Sequence, residues 1–179
     1  MDKIVVLDFG SQYSHLICRR IREANVYCEL LPYNTPANVI KEIDTKGIIF
    51  SGGPASVYAK NAPKPDRQLF QMGKPILGIC YGHQILVDNF GGRVKKSNSR
   101  EYGRAGLVID DKSDLFKSLG QSINCWMSHG DAAEKVPEGL RSLRTLKIQI
   151  LQPSATRTRG SMAFSSTQRW YIQSGAQRS

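Results

Sequence analysis

"KPILGICYGHQILVDNFGG", residues 74–92, decides how this chain folds. Its first part, "KPILGIC", is a short apolar run behind a proline and reads as a buried strand. From His83 onward, "HQILVDNFGG" carries helical spacing and closes on a glycine pair, the signature of a helix with a glycine stop. Cys80 falls between the two, on a sharp strand-to-helix turn of the kind that presents a nucleophile. A thiol in that position acts as a thiolate. The helix N-terminus favours the charge, and a base must take the proton. The sheet around this turn and the location of that base are therefore the two questions the rest of the sequence has to answer.

Working outward, "KIVVLD" (3–8), "VYCELL" (26–31) and "GIIFSGGP" (47–54) each contain a short apolar run suited to a strand. Between them, "QYSHLICRRIREA" (12–24) places Leu16, Ile17, Ile21 and Ala24 on an apolar stripe, and "PKPDRQLFQMG" (63–73) suggests another helix. Strands alternating with helices predict an α/β fold: a mostly parallel twisted sheet, with right-handed crossovers placing helices on both faces. "GRVKKS" and "EYGRAGLVID" (101–110) read as exposed strands, and "SDLFKSLG" (113–120) as a short helix. "INCWMSHGD" (123–131) reads as a strand ending in a polar loop. No internal repeat is evident.

The 179 residues suffice for one domain with a sizeable core, and 40% hydrophobic with 22% charged residues is ordinary for a globular chain. No apolar run approaches the roughly 18 residues of a membrane span. The N-terminus "MDKIVVLDFGSQ" lacks a secretory pattern, so a cytoplasmic protein without membrane association is expected. Cys18, Cys28, Cys80 and Cys125 form no CxxC pair, which leaves no zinc spacing and no metal site to expect. Cys18, Cys28 and Cys125 read as buried, inert thiols. The net charge of +10 invites a nucleic-acid reading, but its distribution opposes one. Residues 141–179 hold seven basic and no acidic residues, whereas residues 1–140 are nearly balanced. After about Gly139 the sequence has no clear period. Residues 140–179 are thus expected to form a basic, disordered tail to a domain spanning 1–139.

Ligands of open α/β sheets bind beyond the carboxyl ends of the strands. "DFGSQY" (8–13), "SGGP" (51–54) and "CYGHQ" (80–84) fall there, and "SHGD" (128–131) is a candidate fourth loop. Gly52 and Gly53 permit close backbone approach to a substrate oxygen, as an oxyanion hole requires. Together with Cys80 this points to acyl transfer through a thioester. His15, His83 and His129 are the histidines available, and each is more often structural than a base; His129, in a polar loop, could instead bind substrate.

"GICYGHQ", "SGGPASVY" and "WMSHGD", with "LDFGSQY" and "EYGRA", resemble the class I glutamine amidotransferases in order and spacing over residues 1 to about 139. "LDFGSQY", "EYGRA" and Tyr81 point to the branch that aminates XMP to GMP. The resemblance implies glutamine hydrolysis by a Cys-His-Glu triad. Ammonia then passes to an ATP-pyrophosphatase domain, absent from this sequence, which brings ATP and magnesium; no cofactor is implied for this chain itself. Carried over, Cys80 is the nucleophile, and Gly53 and Tyr81 supply oxyanion N–H groups. Gly52, Gln84, Ser128, His129, Gly130 and Asp131 line the glutamine site. The alternatives are part of another class I amidotransferase and a non-catalytic glutamine-binding module.

One departure is specific. The family's downstream "YGVQFHPEV" motif, which holds its His and Glu, does not occur here, and no His follows His129 and no Glu follows Glu138. Read one nucleotide out of frame, "SMAFSSTQRWY" (161–171) accommodates Gly-Ile-Gln-Phe-His-Pro-Glu-Val, with His overlapping Ser166 and Thr167 and Glu overlapping Gln168 and Arg169. A one-nucleotide slip near Gly139 or Leu140 accounts for both the missing motif and the basic tail.

Overall fold

The computed structural model describes residues 2–108, 120, 122–135 and 161–164, with residues 96–108, 122–135 and 161–164 described by their backbone. Five strands, β1 (Lys3–Asp8), β2 (Tyr27–Pro32), β3 (Gly47–Phe50), β4 (Ile76–Ile79) and β7 (Ser161–Phe164), form a parallel sheet in the order β2-β1-β3-β4-β7. Helices α1 (Ser14–Glu23), α2 (Ala37–Glu42) and α3 (Tyr81–Asn89) and a short 3-10 helix, Arg67–Gln71, pack around it. β5 (Arg93–Val108) and β6 (Ser122–Lys135) make a separate antiparallel pair.

Strand alternation sorts the core into two layers. Val5 and Leu7 of β1 join Ile48, Phe50 and Ile76 on one face, where Ala37 and Ile40 of α2 and Tyr81, Ile85, Leu86 and Val87 of α3 cover them. Val6 points the other way, into a smaller cluster with Cys18 of α1 and Cys28 of β2, bordered by Ile17, Ile21 and Ile49. Helices therefore lie on both faces, as the periodicity predicts. The strand order reverses between β1 and β3, which opens a crevice at their carboxyl ends.

"PKPDRQLFQMG" yields less helix than expected. Pro63 and Pro65 restrict the approach, and Gly73 turns the chain at φ +64. The 3-10 helix is capped by Asp66, whose Oδ1 accepts from Gln68 N at 2.9 Å while Oδ2 accepts from Ala37 N at 3.0 Å. The two runs read as separate exposed strands join into the single strand β5, with an irregular register between Lys96 and Glu101. The proposed helix at 113–120 lies outside the described residues except for Gly120. Within the 140–179 stretch, Ser161–Phe164 adds a strand to β4, with Ile76 opposite Ser161 and Ile79 opposite Phe164. The remainder of that stretch lies outside the described residues. No helix among the described residues is long and apolar enough to cross a membrane.

Candidate active site

Cys80 links β4 directly to α3 with φ 52° and ψ −107°. A non-glycine residue held there costs on the order of 1–3 kcal/mol, so its neighbours must over-determine the conformation. Two glycines do so. A Cβ on Gly78 would lie 2.6 Å from the carbonyl carbon and oxygen of Gly82, and one on Gly82 would lie 2.5 Å from Phe50 O. Strand and helix are thus pressed together at a distance no side chain permits. Gly82 N donates to Ser51 O at 3.1 Å, and Gln84 N donates to Cys80 O at 3.1 Å. Tyr81 is 1% exposed; its ring lies 5.7 Å from that of Phe9, and its O–H donates to Pro63 O at 2.8 Å. Burial, then the charges of Asp88 and Tyr33, push the Tyr81 phenol up to about 12.

The loops after β1 and β3 close on the same turn. Asp8 Oδ1 accepts from Gly10 N at 2.9 Å, Ser11 N at 3.2 Å and Ser14 Oγ at 2.6 Å, which fixes the start of α1. Burial works to raise the Asp8 carboxyl, but the Ser14 hydroxyl and the Gly10 and Ser11 N–H groups hold it below the usual range. Phe9 N donates to Ser51 Oγ at 2.9 Å. A Cβ on Gly53 would lie 2.5 Å from Phe9 O, so glycine is required there too. A Cβ on Gly52 would meet Cys80 Cβ at 3.5 Å and Ser11 Oγ at 3.6 Å, an ordinary contact distance. The loops after β1 and β3 therefore meet at the turn that carries Cys80.

Of the predicted site residues, the structure brings together Cys80, Gly52, Gly53, Tyr81 and Gln84. The Tyr81 side chain belongs to the core. Gln84 Oε1 is buried with no hydrogen-bond partner among the described residues. Ser128, His129, Gly130 and Asp131 are placed differently from the polar loop expected. They lie inside β6, where Ser128 is opposite Tyr102, His129 opposite Glu101 and Asp131 opposite Lys96. The long partner β5 supplies ladder hydrogen bonds that a Gly- and Asp-containing run does not advertise. α3 approaches both of these strands. His83 is buried on α3, and His15 is exposed on α1. Among the described residues no group of three or more His, Cys, Asp or Glu side chains could hold a metal ion.

Ser11, Ser51, Gly78 and Gly82 were not singled out from the sequence. The glycines had a signal: they stand two residues either side of Cys80, the spacing a tight elbow needs. Ser51 had none, because its bonds to Phe9 and Gly82 span different parts of the chain.

A family model described as glutamine amidotransferase class-I matches residues 5–168. A GMP synthase [glutamine-hydrolyzing] of Brachyspira hyodysenteriae is 54% identical over 139 residues, covering 78% of this chain and 27% of that protein. The same-named protein of Carboxydothermus hydrogenoformans is 49% identical over 158 residues, covering 88% of this chain and 31% of the relative. The chain thus spans under a third of the length of these relatives. Among solved structures, a Thermoplasma acidophilum protein named as one of the subunits of a GMP synthase superposes with a TM-score of 0.73 at 23% identity, covering 93% of this chain and 83% of that one. A Thermotoga maritima glutamine amidotransferase superposes with a TM-score of 0.64 at 16% identity, covering 92% and 75%. At those identities the structures speak for the fold alone.

Proposed function

The chain belongs to the class I glutamine amidotransferase family, and on that premise we propose that its site binds glutamine and hydrolyses the side-chain amide through a thioester on Cys80. The observation that carries this is the elbow: Cys80 at positive φ, with the glycine-lined end of β3 against its Cβ. Cys80 Sγ adds to the carboxamide carbon, and the oxyanion that forms faces the N–H groups of Gly53 and Tyr81. Ammonia leaves with a proton, and water then cleaves the thioester to glutamate. Gly52 and Gln84 border the bound side chain, and Ser128, His129, Gly130 and Asp131 are assigned to its amino-acid end. The names of the relatives suggest the ammonia's destination. An ATP-pyrophosphatase domain or subunit, bringing ATP and magnesium, would use it to aminate XMP to GMP in the cytoplasm.

The base is the missing part. β7 runs parallel to β4 with Phe164 opposite Ile79, the residue that precedes Cys80. The family resemblance implies a histidine downstream of this strand to take the thiol proton, but no His follows His129 in the sequence, and residues 165–179 lie outside the described residues. On this reading the chain keeps its nucleophile, and its turnover is impaired by the loss of the base. A non-catalytic glutamine-binding module is the second reading, favoured by the same absence.

A chloroketone analogue of glutamine tests the site without needing turnover. It should alkylate Cys80 with saturation, and free glutamine should protect. Cys18 and Cys28 should stay unmodified: both are buried, and burial, then the Cys28 thiol, pushes Cys18 up to about 11. Equal modification of the three, or no protection by glutamine, would contradict a glutamine site at Cys80.

A further inference from the structure

We propose that Ser11 is a substrate-contacting residue of this site, its hydroxyl donating a hydrogen bond to the oxygen of the primary carboxamide that Cys80 attacks. The inference rests on the glutaminase reading above and adds a third donor to the two backbone N–H groups assigned there.

Ser11 is half-buried and follows Gly10, whose φ of +89° turns the loop back over the sheet. Its position is fixed from both sides. Its N–H donates to Asp8 Oδ1 at 3.2 Å, and its Oγ accepts from Tyr13 N at 3.1 Å. Its own O–H has no acceptor among the described residues. A hydroxyl oriented by two local bonds, with its proton uncommitted, is a preorganised donor. The direction it faces follows from Gly52. A single methyl there would touch both Ser11 Oγ, at 3.6 Å, and Cys80 Cβ, at 3.5 Å. Ser11 Oγ and Cys80 Cβ thus both border the space that a side chain at residue 52 would fill. A carboxamide bound at Cys80 with its oxygen in this space would meet the Ser11 hydroxyl. Gly53 leaves no such opening, since a Cβ there would run into Phe9 O at 2.5 Å.

The experiment measures alkylation of Cys80 in the full chain by the chloroketone analogue of glutamine, whose ketone oxygen mimics the carboxamide oxygen. The thiolate displaces chloride, leaving a thioether and chloride ion. Methyl methanethiosulfonate, which has no carbonyl, reports on thiol access alone. Ser11→Ala should slow the chloroketone by roughly 10²-fold, the scale of losing one oxyanion donor, and leave the thiosulfonate rate unchanged. Ser11→Thr, which keeps both the hydroxyl and the acceptor for Tyr13 N, should restore the rate. Gly52→Ala should fold normally and block the chloroketone. An unchanged chloroketone rate in Ser11→Ala overturns the proposal. So does an equal slowing of both reagents, which would mean that Ser11 only shapes the loop. If glutamine fails to protect the unaltered chain, the glutaminase reading fails first and this inference falls with it.

Discussion

At Cys80 the sequence accepts local strain in order to expose a thiol, and the strain is measurable. Glycine adopts φ 52° and ψ −107° more readily than any residue with a Cβ. Cys80→Gly should therefore stabilise the fold by about 1 kcal/mol, a rise of a few degrees in Tm, while removing the nucleophile. A fall in Tm would mean that the thiol's packing outweighs the strain. Gly82→Ala should do the opposite. The new methyl would lie 2.5 Å from Phe50 O and 2.6 Å from Phe50 Cβ, both in the core, so nothing flexible can give way. A loss of about 3 kcal/mol by denaturant unfolding is expected, at the upper end of ordinary overpacking. A near-neutral effect would show that strand and helix separate easily, and the account of the elbow would fail.

Among the elements, the loop from β1 into α1 is held by the Asp8 carboxylate. The folded state holds the Asp8 carboxyl below its ordinary value through Ser14, Gly10 and Ser11. The stability this contributes is complete above the unfolded value of about 3.9 and is lost as the pH falls through the lower folded value. Asp8→Asn keeps an acceptor but removes the charge that strengthens these three bonds, so it should lower stability near neutral pH by about 1 kcal/mol and flatten the acid limb of the stability curve. An acid limb identical to that of the unaltered chain would contradict the assignment. Elements whose cause is local were legible in the sequence. β1 is a continuous apolar run because both of its faces are covered, and the first turns of α3 follow a buried strand directly. α2 was not read. It has only six residues, and its start is fixed by the Asp66 carboxylate 29 residues away. The run 128–131 was read as a loop for a related reason. A strand that contains Gly130 and Asp131 exists only because β5 lies alongside it. Hence Cys80 at its strand-to-helix turn and the Gly52–Gly53 pair, local features, were legible in the sequence, whereas Ser11 and Ser51 emerged only once three loops were seen to meet.

For the whole molecule, the parallel sheet reverses its order between β1 and β3 and gathers three strand ends at one crevice, and β4 and β7 end side by side there. The family resemblance implies a histidine base downstream of β7, and no His follows His129 in the sequence. The central claim is that this chain carries the amidotransferase nucleophile without its base. The most direct measurement is ammonia release from glutamine, comparing this 179-residue chain with a domain whose reading frame is corrected near codon 140. Both should be assayed with the synthetase partner, XMP and ATP. The account predicts that the corrected domain is faster by roughly 10⁴, the scale of losing one triad member. Equal rates would show that a residue already present, such as His83 or His129, serves as the base, and would contradict the claim.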